Sequence, residues 1–138
     1  MSLPALDNLV RAGQLKGEPR NDAEIKRMLA MARVRLADSH LASLSPEGRF
    51  TSAYNAARAA ALAALRWHGY RSESRYAVFQ CLVHTLNWSA ARWRVLDAAH
   101  QKRNLAEYEG FLEIEESAID ELRNAVAGFI QDVAKITG

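Results

Sequence analysis

The chain has 138 residues, of which 49% are hydrophobic and 25% are charged, and its formal net charge is +2. This length suits one domain with a single core, so we predict one domain over residues 1–138. No segment approaches the run of about eighteen apolar residues that a membrane span needs, and the first residues lack a basic and apolar secretion signal. Cys81 is the only cysteine, which excludes an intrachain disulfide. We therefore expect a cytoplasmic protein without membrane insertion.

The charge is distributed unevenly along the chain. Residues 1–106 contain 16 Lys and Arg against 8 Asp and Glu, a balance of +8, whereas residues 107–138 contain 2 against 8, a balance of −6. Such asymmetry can steer an anionic ligand to one face or help two copies pair head to tail. The other interpretation is that these are solvated helix faces of differing sign.

The first part of the chain shows helical signals. We predict a leader helix over residues 5–12, and a second helix from a cap at Asn21 or Asp22 to about Leu41. The apolar residues of the second helix recur at spacings of three and four, which predicts one buried face: Ile25, Leu29, Ala32 and Leu36.

The next helix is predicted to begin after Ser45 and to run to His68 before Gly69. Its alanines lie at helical spacing and favour close packing against a neighbouring helix rather than a site: Ala53, Ala56, Ala57, Ala60, Ala61 and Ala64.

Three further helices are predicted: residues 73–86, a helix capped by Ser89, and a last helix over residues 115–136. The last helix has an apolar face formed by Ile119, Leu122, Val126, Ile130 and Val133. The pattern predicts an all-α fold, an antiparallel bundle of four to five helices.

Several classes of chemistry lack their motifs in this sequence. There is no glycine-rich phosphate loop, no His-Glu-x-x-His and no Gly-x-Ser-x-Gly. No histidine has a glutamate three residues before it, as a di-iron bundle requires. We predict neither a metal nor a cofactor.

One stretch, residues 101–110 (Gln-Lys-Arg-Asn-Leu-Ala-Glu-Tyr-Glu-Gly), carries more chemical information than the rest. The candidate site residues are Arg103, Asn104 and Tyr108. An arginine can clamp a phosphate through two parallel hydrogen bonds. A tyrosine can donate a hydrogen bond to phosphate, but with an ordinary pKa of about 10 it is a poor general base at neutral pH.

The pair Arg103-Asn104 followed by Tyr108, on the penultimate helix of an all-helical chain, resembles the HEPN superfamily. Ribonuclease members of that superfamily carry an Arg, often a polar residue after it, and a His after four to six intervening residues. The stretches at residues 54–58 and 69–71 are also similar. The motif looks most like the SAV-type branch, in which Arg-x-Arg-Asn-x-x-x-Tyr commonly replaces the catalytic form, although Gln101 stands at the first basic position.

The resemblance implies a HEPN-like bundle that forms a homodimer, and for active relatives metal-independent RNA cleavage at the dimer interface. We expect a non-catalytic or weakly active regulatory module that associates with RNA, a nucleotide, or a partner such as a nucleotidyltransferase or antitoxin. The alternative is a metal-independent endoribonuclease of a toxin–antitoxin or defence type. In that enzyme Arg103 clamps the phosphate and Asn104 orients it, while Tyr108 or His100 transfers a proton. A Tyr where active relatives have His favours the binding module.

Helix geometry constrains this candidate site. Residues five apart differ by about 140° around a helix, so Arg103 and Tyr108 share a site only if the helix ends between them or a second chain contributes. Asn104 and Tyr108 are neighbours one turn apart. A purely structural account is also open: Arg103 pairs with Glu107, the ring of Tyr108 packs on the core, and His100 lies partly buried on its helix.

Overall fold

A computed structural model describes residues 3–72, 78–79, 81, 85–86, 88–110 and 113–138, apart from the side chains of Ala90 and Glu107. In these ranges the helices are α1 (Pro4–Arg11), α2 (Asp22–Asp38), α3 (Pro46–Trp67), α4 (Ala90–Glu109) and α5 (Glu116–Thr137). A short antiparallel pair joins β1 (Lys16–Gly17) to β2 (Tyr70–Arg71).

The predicted all-α helical bundle is confirmed by these helices, which pack together around one core. The helix predicted over residues 73–86 falls largely outside the described residues. None of the helices that the structure describes is long and apolar enough to cross a membrane.

Two polar side chains fix where α2 and α3 begin. The side chain of Asn21 accepts a hydrogen bond from the Glu24 N–H at 3.0 Å, and Ser45 accepts one from the Gly48 N–H at 3.0 Å. Both are caps for backbone donors that have no partner inside a helix. The sequence pattern therefore placed both helix starts correctly, whereas α2 ends at Asp38 rather than near Leu41.

Helix α3 is the centre of the core. All six of its predicted packing alanines are fully buried: Ala53, Ala56, Ala57, Ala60, Ala61 and Ala64. Such small side chains let neighbouring backbones approach closely. The predicted apolar face of α5 is also buried, through Ile119, Leu122, Val126, Ile130 and Val133.

Ion pairs between helix ends show the direction of neighbouring helices. Glu24 near the start of α2 accepts a hydrogen bond from Arg66 near the end of α3, at 2.6 Å, so these two helices are antiparallel. Arg92 near the start of α4 donates to Asp132 near the end of α5, at 2.7 Å, so this pair is antiparallel too.

The acidic α5 forms ion pairs with arginines within the chain. Arg49 of α3 contacts Glu116 through both carboxylate oxygens at 2.9 and 2.5 Å, and this contact holds the pKa of the Glu116 carboxyl below its ordinary value. Asp132 pairs with Arg92, as described above. Part of the C-terminal negative charge is therefore neutralised by the basic body of the same molecule.

Four charged side chains, which we call the Arg66 cluster, hold the N-terminal segment to the end of α3: Glu18, Glu24, Arg66 and Arg71. The Arg66 side chain is only 1% exposed. It donates to Glu24 at 2.6 Å and to three backbone carbonyls, those of Glu18, Pro19 and Tyr70. Arg71 donates to Glu18 at 2.7 Å and to both carboxylate oxygens of Glu24 at 2.8 and 2.6 Å. Hydrogen bonds from Arg66 and Arg71 hold the pKa of the Glu24 carboxyl below its ordinary value of 4.5.

Tyr70 adds a second connection to the N-terminal segment. Its hydroxyl accepts a hydrogen bond from the Leu3 N–H at 2.9 Å and donates one to Asp7 at 2.5 Å. Burial of the phenol, followed by its hydrogen bond to Asp7, raises the pKa of Tyr70. The leader helix α1 is thus tied to residues that follow α3.

Candidate functional site on helix α4

Helix α4 is continuous through the candidate motif. It runs from Ala90 to Glu109 and stops at Gly110, which has a φ of 78° and so takes the left-handed conformation typical of a helix end. The helix therefore does not end between Arg103 and Tyr108. In a single chain these two side chains lie on different sides of the same helix.

Tyr108 lies on the solvent side of α4. Its side chain is 95% exposed, so the prediction that its ring packs on the core is wrong. Leu105, one turn earlier, is 56% exposed. Together with the exposed Gln101 and Asn104 these residues form a surface that we call the α4 face. Two large apolar side chains in solvent are a feature of interaction surfaces.

Arg103 lies on the other side of α4, half-buried against α3. Its guanidinium carbon is 5.2 Å from the ring centroid of Tyr54, a distance at which a cation is attracted to an aromatic ring. The predicted pairing of Arg103 with Glu107 lies outside the described side chains. The arginine of the motif is thus directed to the interior of the bundle.

His100 is the buried centre of a polar chain between α3 and α4. It is 5% exposed, its Nδ1 lies 2.9 Å from the Tyr54 hydroxyl, and its Nε2 lies 3.0 Å from Nδ2 of Asn104. An amide nitrogen that donates to Nε2 leaves the imidazole proton on Nδ1, which then donates to Tyr54. This arrangement agrees with the structural account of His100 and uses both ring nitrogens inside the chain.

An apolar groove lies beside the α4 face. It has a volume of about 410 Å³ and is formed by α3, α4 and α5. We call it the α4 groove; its larger lining residues are Phe50, Val95, Lys102, Leu105, Glu121 and Leu122. Leu105 belongs both to this groove and to the α4 face, so the two form one continuous surface.

The aromatic and basic residues at the start of α4 pack within the chain. Trp88 is 6% exposed, and its ring centroid lies 4.7 Å from that of Phe129 on α5. The guanidinium carbon of Arg92 lies 4.1 Å from the Trp88 ring. Trp88 is therefore a core residue.

Metal and thiol chemistry gain no support from the described residues. Among them, no group of three or more His, Cys, Asp or Glu is placed to hold a metal ion. Burial raises the pKa of the Cys81 thiol to about 11. A thiol with such a pKa is protonated at neutral pH and is a weak nucleophile.

The structure brings some of the predicted residues together and separates others. Arg103 lies near Tyr54 and Asn104 lies near His100, whereas Tyr108 stands apart in solvent. Tyr54 was not among the predicted site residues. Its one sequence signal is a hydroxyl-bearing aromatic in a run of buried alanines, and that signal does not reveal a partner 46 residues away on another helix.

No protein-family model, curated protein or solved structure matches the chain. The resemblance to the HEPN superfamily therefore rests on the residues of the motif and on the order of the helices, and it stays a prediction.

Proposed function

We propose that this protein is a non-catalytic, HEPN-like binding module that docks a partner on the α4 face. The observation that carries this proposal is the combination of a 95% exposed Tyr108 and a 56% exposed Leu105 with an adjacent apolar groove of about 410 Å³. Exposed apolar side chains around a groove are a feature of protein interaction sites.

The positions of the motif residues favour binding over catalysis. RNA cleavage of the implied kind needs a phosphate clamp and a proton-transfer group that face the same substrate. In one chain Arg103 stacks on Tyr54, Tyr108 points into solvent, and His100 is buried with both ring nitrogens engaged. This arrangement supports a module whose activity is recognition.

The first partner that we propose is a second copy of the chain. Lys102, Leu105 and Glu109 follow one another along one side of α4 at spacings of three and four. If two α4 helices pack antiparallel about a two-fold axis near Leu105, each Lys102 lies opposite the other copy's Glu109. Leu105 from both copies then fills the centre. Such a homodimer would carry two copies of the motif. RNA or a nucleotide, the ligands that the resemblance implies, could bind to both copies.

Sedimentation velocity tests this dimer. We expect the parent protein to be a dimer and Leu105→Glu to be a monomer, because the substitution places two negative charges at the centre of the interface. Leu41→Glu is the matched control, since Leu41 is 48% exposed in the connection after α2 and does not line the α4 groove. Circular dichroism should show unchanged helix content in both variants.

A charge-swap series tests the antiparallel geometry. Lys102→Glu and Glu109→Lys should each weaken the dimer, because each places like charges opposite one another. The double variant Lys102→Glu with Glu109→Lys should recover it. A parent chain that is monomeric at about 100 µM, or a double variant as weak as the singles, contradicts the proposed pairing.

One observation favours a second candidate, the metal-independent endoribonuclease. Asn104 is exposed, and its amide occupies Nε2 of His100. Rotation of the Asn104 side chain would free Nε2 of His100. Arg103, three residues further along α4, is a neighbour of His100 on the helix surface. His100 would then act as the proton-transfer group that Tyr108 cannot easily replace.

Incubation with a pool of structured and single-stranded RNA in EDTA separates the two candidates. The parent is compared with Arg103→Ala, His100→Phe and Tyr108→Phe, each checked for unchanged folding. Cleavage by the parent that is lost in Arg103→Ala establishes the enzyme, and the other two variants identify the proton-transfer group. Absence of cleavage in a folded, dimeric parent supports the binding module.

A further inference from the structure

A second groove lies between α2 and α3 and shares no lining residue with the α4 groove. It has a volume of about 320 Å³. We call it the α2–α3 groove, and its lining residues are Met31, Arg35, Asn55, Arg58, Ala59 and Leu62. Its surface combines aliphatic side chains with two arginines, which distinguishes it from the solvated polar faces of most surface helices.

Both walls of the α2–α3 groove have the spacing that a third helix would need. On α2 the exposed residues Arg27, Met31 and Arg35 follow one another at spacings of four; Met31, which is 47% exposed, and Arg35 line the groove, and Arg27 precedes them by one turn. On α3 the lining residues Asn55, Arg58, Ala59 and Leu62 are half-buried, at positions i, i+3, i+4 and i+7. Two such stripes side by side form a trough for a helix.

The positive charge of the groove is poorly compensated. Within the described part of the chain, neither Arg27 nor Arg58 has an ion pair, and the buried Nε of Arg58 has no hydrogen-bond acceptor. Arg35 pairs with Asp38 at 3.3 Å. By contrast, Arg66 at the end of α3 and Arg71 in β2 each form ion pairs with Glu18 and Glu24. Arg58 is half-buried and has no carboxylate partner among the described residues, so a carboxylate on a partner can pair with its guanidinium.

We propose that the α2–α3 groove docks an acidic amphipathic helix of a partner protein. Aliphatic side chains of that helix would cover Met31 and Leu62, and its flanking carboxylates would pair with Arg58 and with Arg27 beside the groove. This groove shares no lining residue with the α4 groove. The protein could therefore bind a second copy of itself through α4 and a different partner through the α2–α3 groove.

Other anionic partners fit this surface less well. Among the residues that the structure describes, no aromatic side chain lines the groove, so they offer single-stranded nucleic acid no base-stacking platform. An acidic lipid surface takes up helices with a continuous apolar face, but the apolar face of α2 is already buried through Ile25, Leu29 and Ala32. Only Met31 and Val34 of α2 are available for contact.

Fluorescence anisotropy with a synthetic probe tests the proposal. The probe is a labelled peptide of about 18 residues with leucines at i, i+4, i+7 and i+11 on a Glu- and Ala-rich helix. Controls are a scrambled peptide of equal composition, a version with Lys for every Glu, and a labelled single-stranded RNA of about 20 nucleotides. We expect the acidic helix to bind at least tenfold more tightly than either control peptide.

Charge-reversal variants locate the binding surface. Arg27→Glu and Arg58→Glu should each weaken binding of the acidic peptide about tenfold. Arg27 is fully on the surface, so its variant stays informative if Arg58→Glu fails to fold. Arg33→Glu is the matched control, because Arg33 is exposed on the same helix but points about 160° away from Met31. Its affinity should stay within about twofold of the parent.

Three results would overturn the proposal. One is the absence of peptide binding at about 100 µM, and a second is an equal loss of affinity in Arg33→Glu and in the groove variants. The third is tight binding of the RNA that Arg58→Glu abolishes, which would assign the groove to nucleic acid instead.

Discussion

The Arg66 cluster and the α4 face differ in how fully their side chains are partnered within the chain. Arg66 is 1% exposed and meets one carboxylate and three carbonyl groups at hydrogen-bond distance. The α4 face presents Leu105 and Tyr108 to solvent, at 56% and 95% exposure. The first region is a closed network of donors and acceptors, and the second leaves apolar surface uncovered.

The difference shows where stability and recognition reside in this fold. Removing one member of a closed buried network leaves charges or carbonyls without partners, so such a region tolerates little change. An exposed side chain loses little on substitution and is therefore available for binding. We expect substitutions in the Arg66 cluster to act on folding and substitutions on the α4 face to act on association.

The largest effect should come from Arg66→Ala. It leaves Glu24 and the three carbonyls short of a donor, and we expect the free energy of unfolding to fall by about 3–5 kcal/mol. Urea denaturation followed by circular dichroism measures the change. Arg103→Ala is the comparison, with an expected loss of about 0.5–2 kcal/mol from the lost cation–π contact. Equal losses in both variants would show that the Arg66 cluster stabilises the fold no more than the contact between Arg103 and Tyr54 does.

A smaller effect, dependent on pH, should follow from Glu24→Gln. Because the pKa of the Glu24 carboxyl is lowered in the folded state, its contribution to stability is fully present above its ordinary value of 4.5. That contribution is lost as the pH falls through the lower, folded-state pKa.

Urea midpoints measured between about pH 7 and pH 3 check this prediction. The parent should exceed Glu24→Gln at neutral pH, and the two should converge in acid. A difference that is constant across this range would show that the charge of Glu24 is not what stabilises the cluster.

The next effect should be that of Tyr54→Phe. It removes the hydroxyl that lies 2.9 Å from Nδ1 of His100 and should cost about 1–2 kcal/mol of unfolding free energy. Urea denaturation again provides the measurement. If the loss stays below about 0.5 kcal/mol, solvent or another group satisfies His100, and its burial does not depend on this bond.

The smallest effect on stability should be that of Tyr108→Ala. Because Tyr108 is 95% exposed, the substitution should change the free energy of unfolding by no more than about 0.5 kcal/mol. Sedimentation velocity on the same sample shows whether association changes while stability does not. A large loss of stability at unchanged association would place Tyr108 with the structural residues.

Much of the fold could be predicted because the helices carry strong local signals. The caps at Asn21 and Ser45 and the periodic faces of α3 and α5 each lie within a few turns of chain, so spacing alone reveals them. The end of α2 could not be placed so well, since the apolar Leu41 suggested a longer helix. The backbone leaves the helix at Ser39, whose hydroxyl donates to the Leu36 carbonyl at 2.5 Å.

The candidate site was predicted in part. Helix geometry alone separated Arg103 from Tyr108, and the structure agrees, but it could not reveal which side faces solvent. The Arg66 cluster was not predicted, because Glu24 and Arg66 lie 42 residues apart and no local pattern joins them. Spacing along the sequence predicts contacts within one helix, but it does not predict which residues of distant elements meet in the folded chain.

The contacts of Tyr70 with the leader have a consequence for the order of folding. Leu3 and Tyr70 are 67 residues apart, whereas α2 and α3 are joined by only a short connection. Closing a long loop costs chain entropy before its contacts can compensate, so nearby helices form first. We therefore expect the α2–α3 hairpin to assemble early, and the leader to be fastened to Tyr70 as a late event in folding.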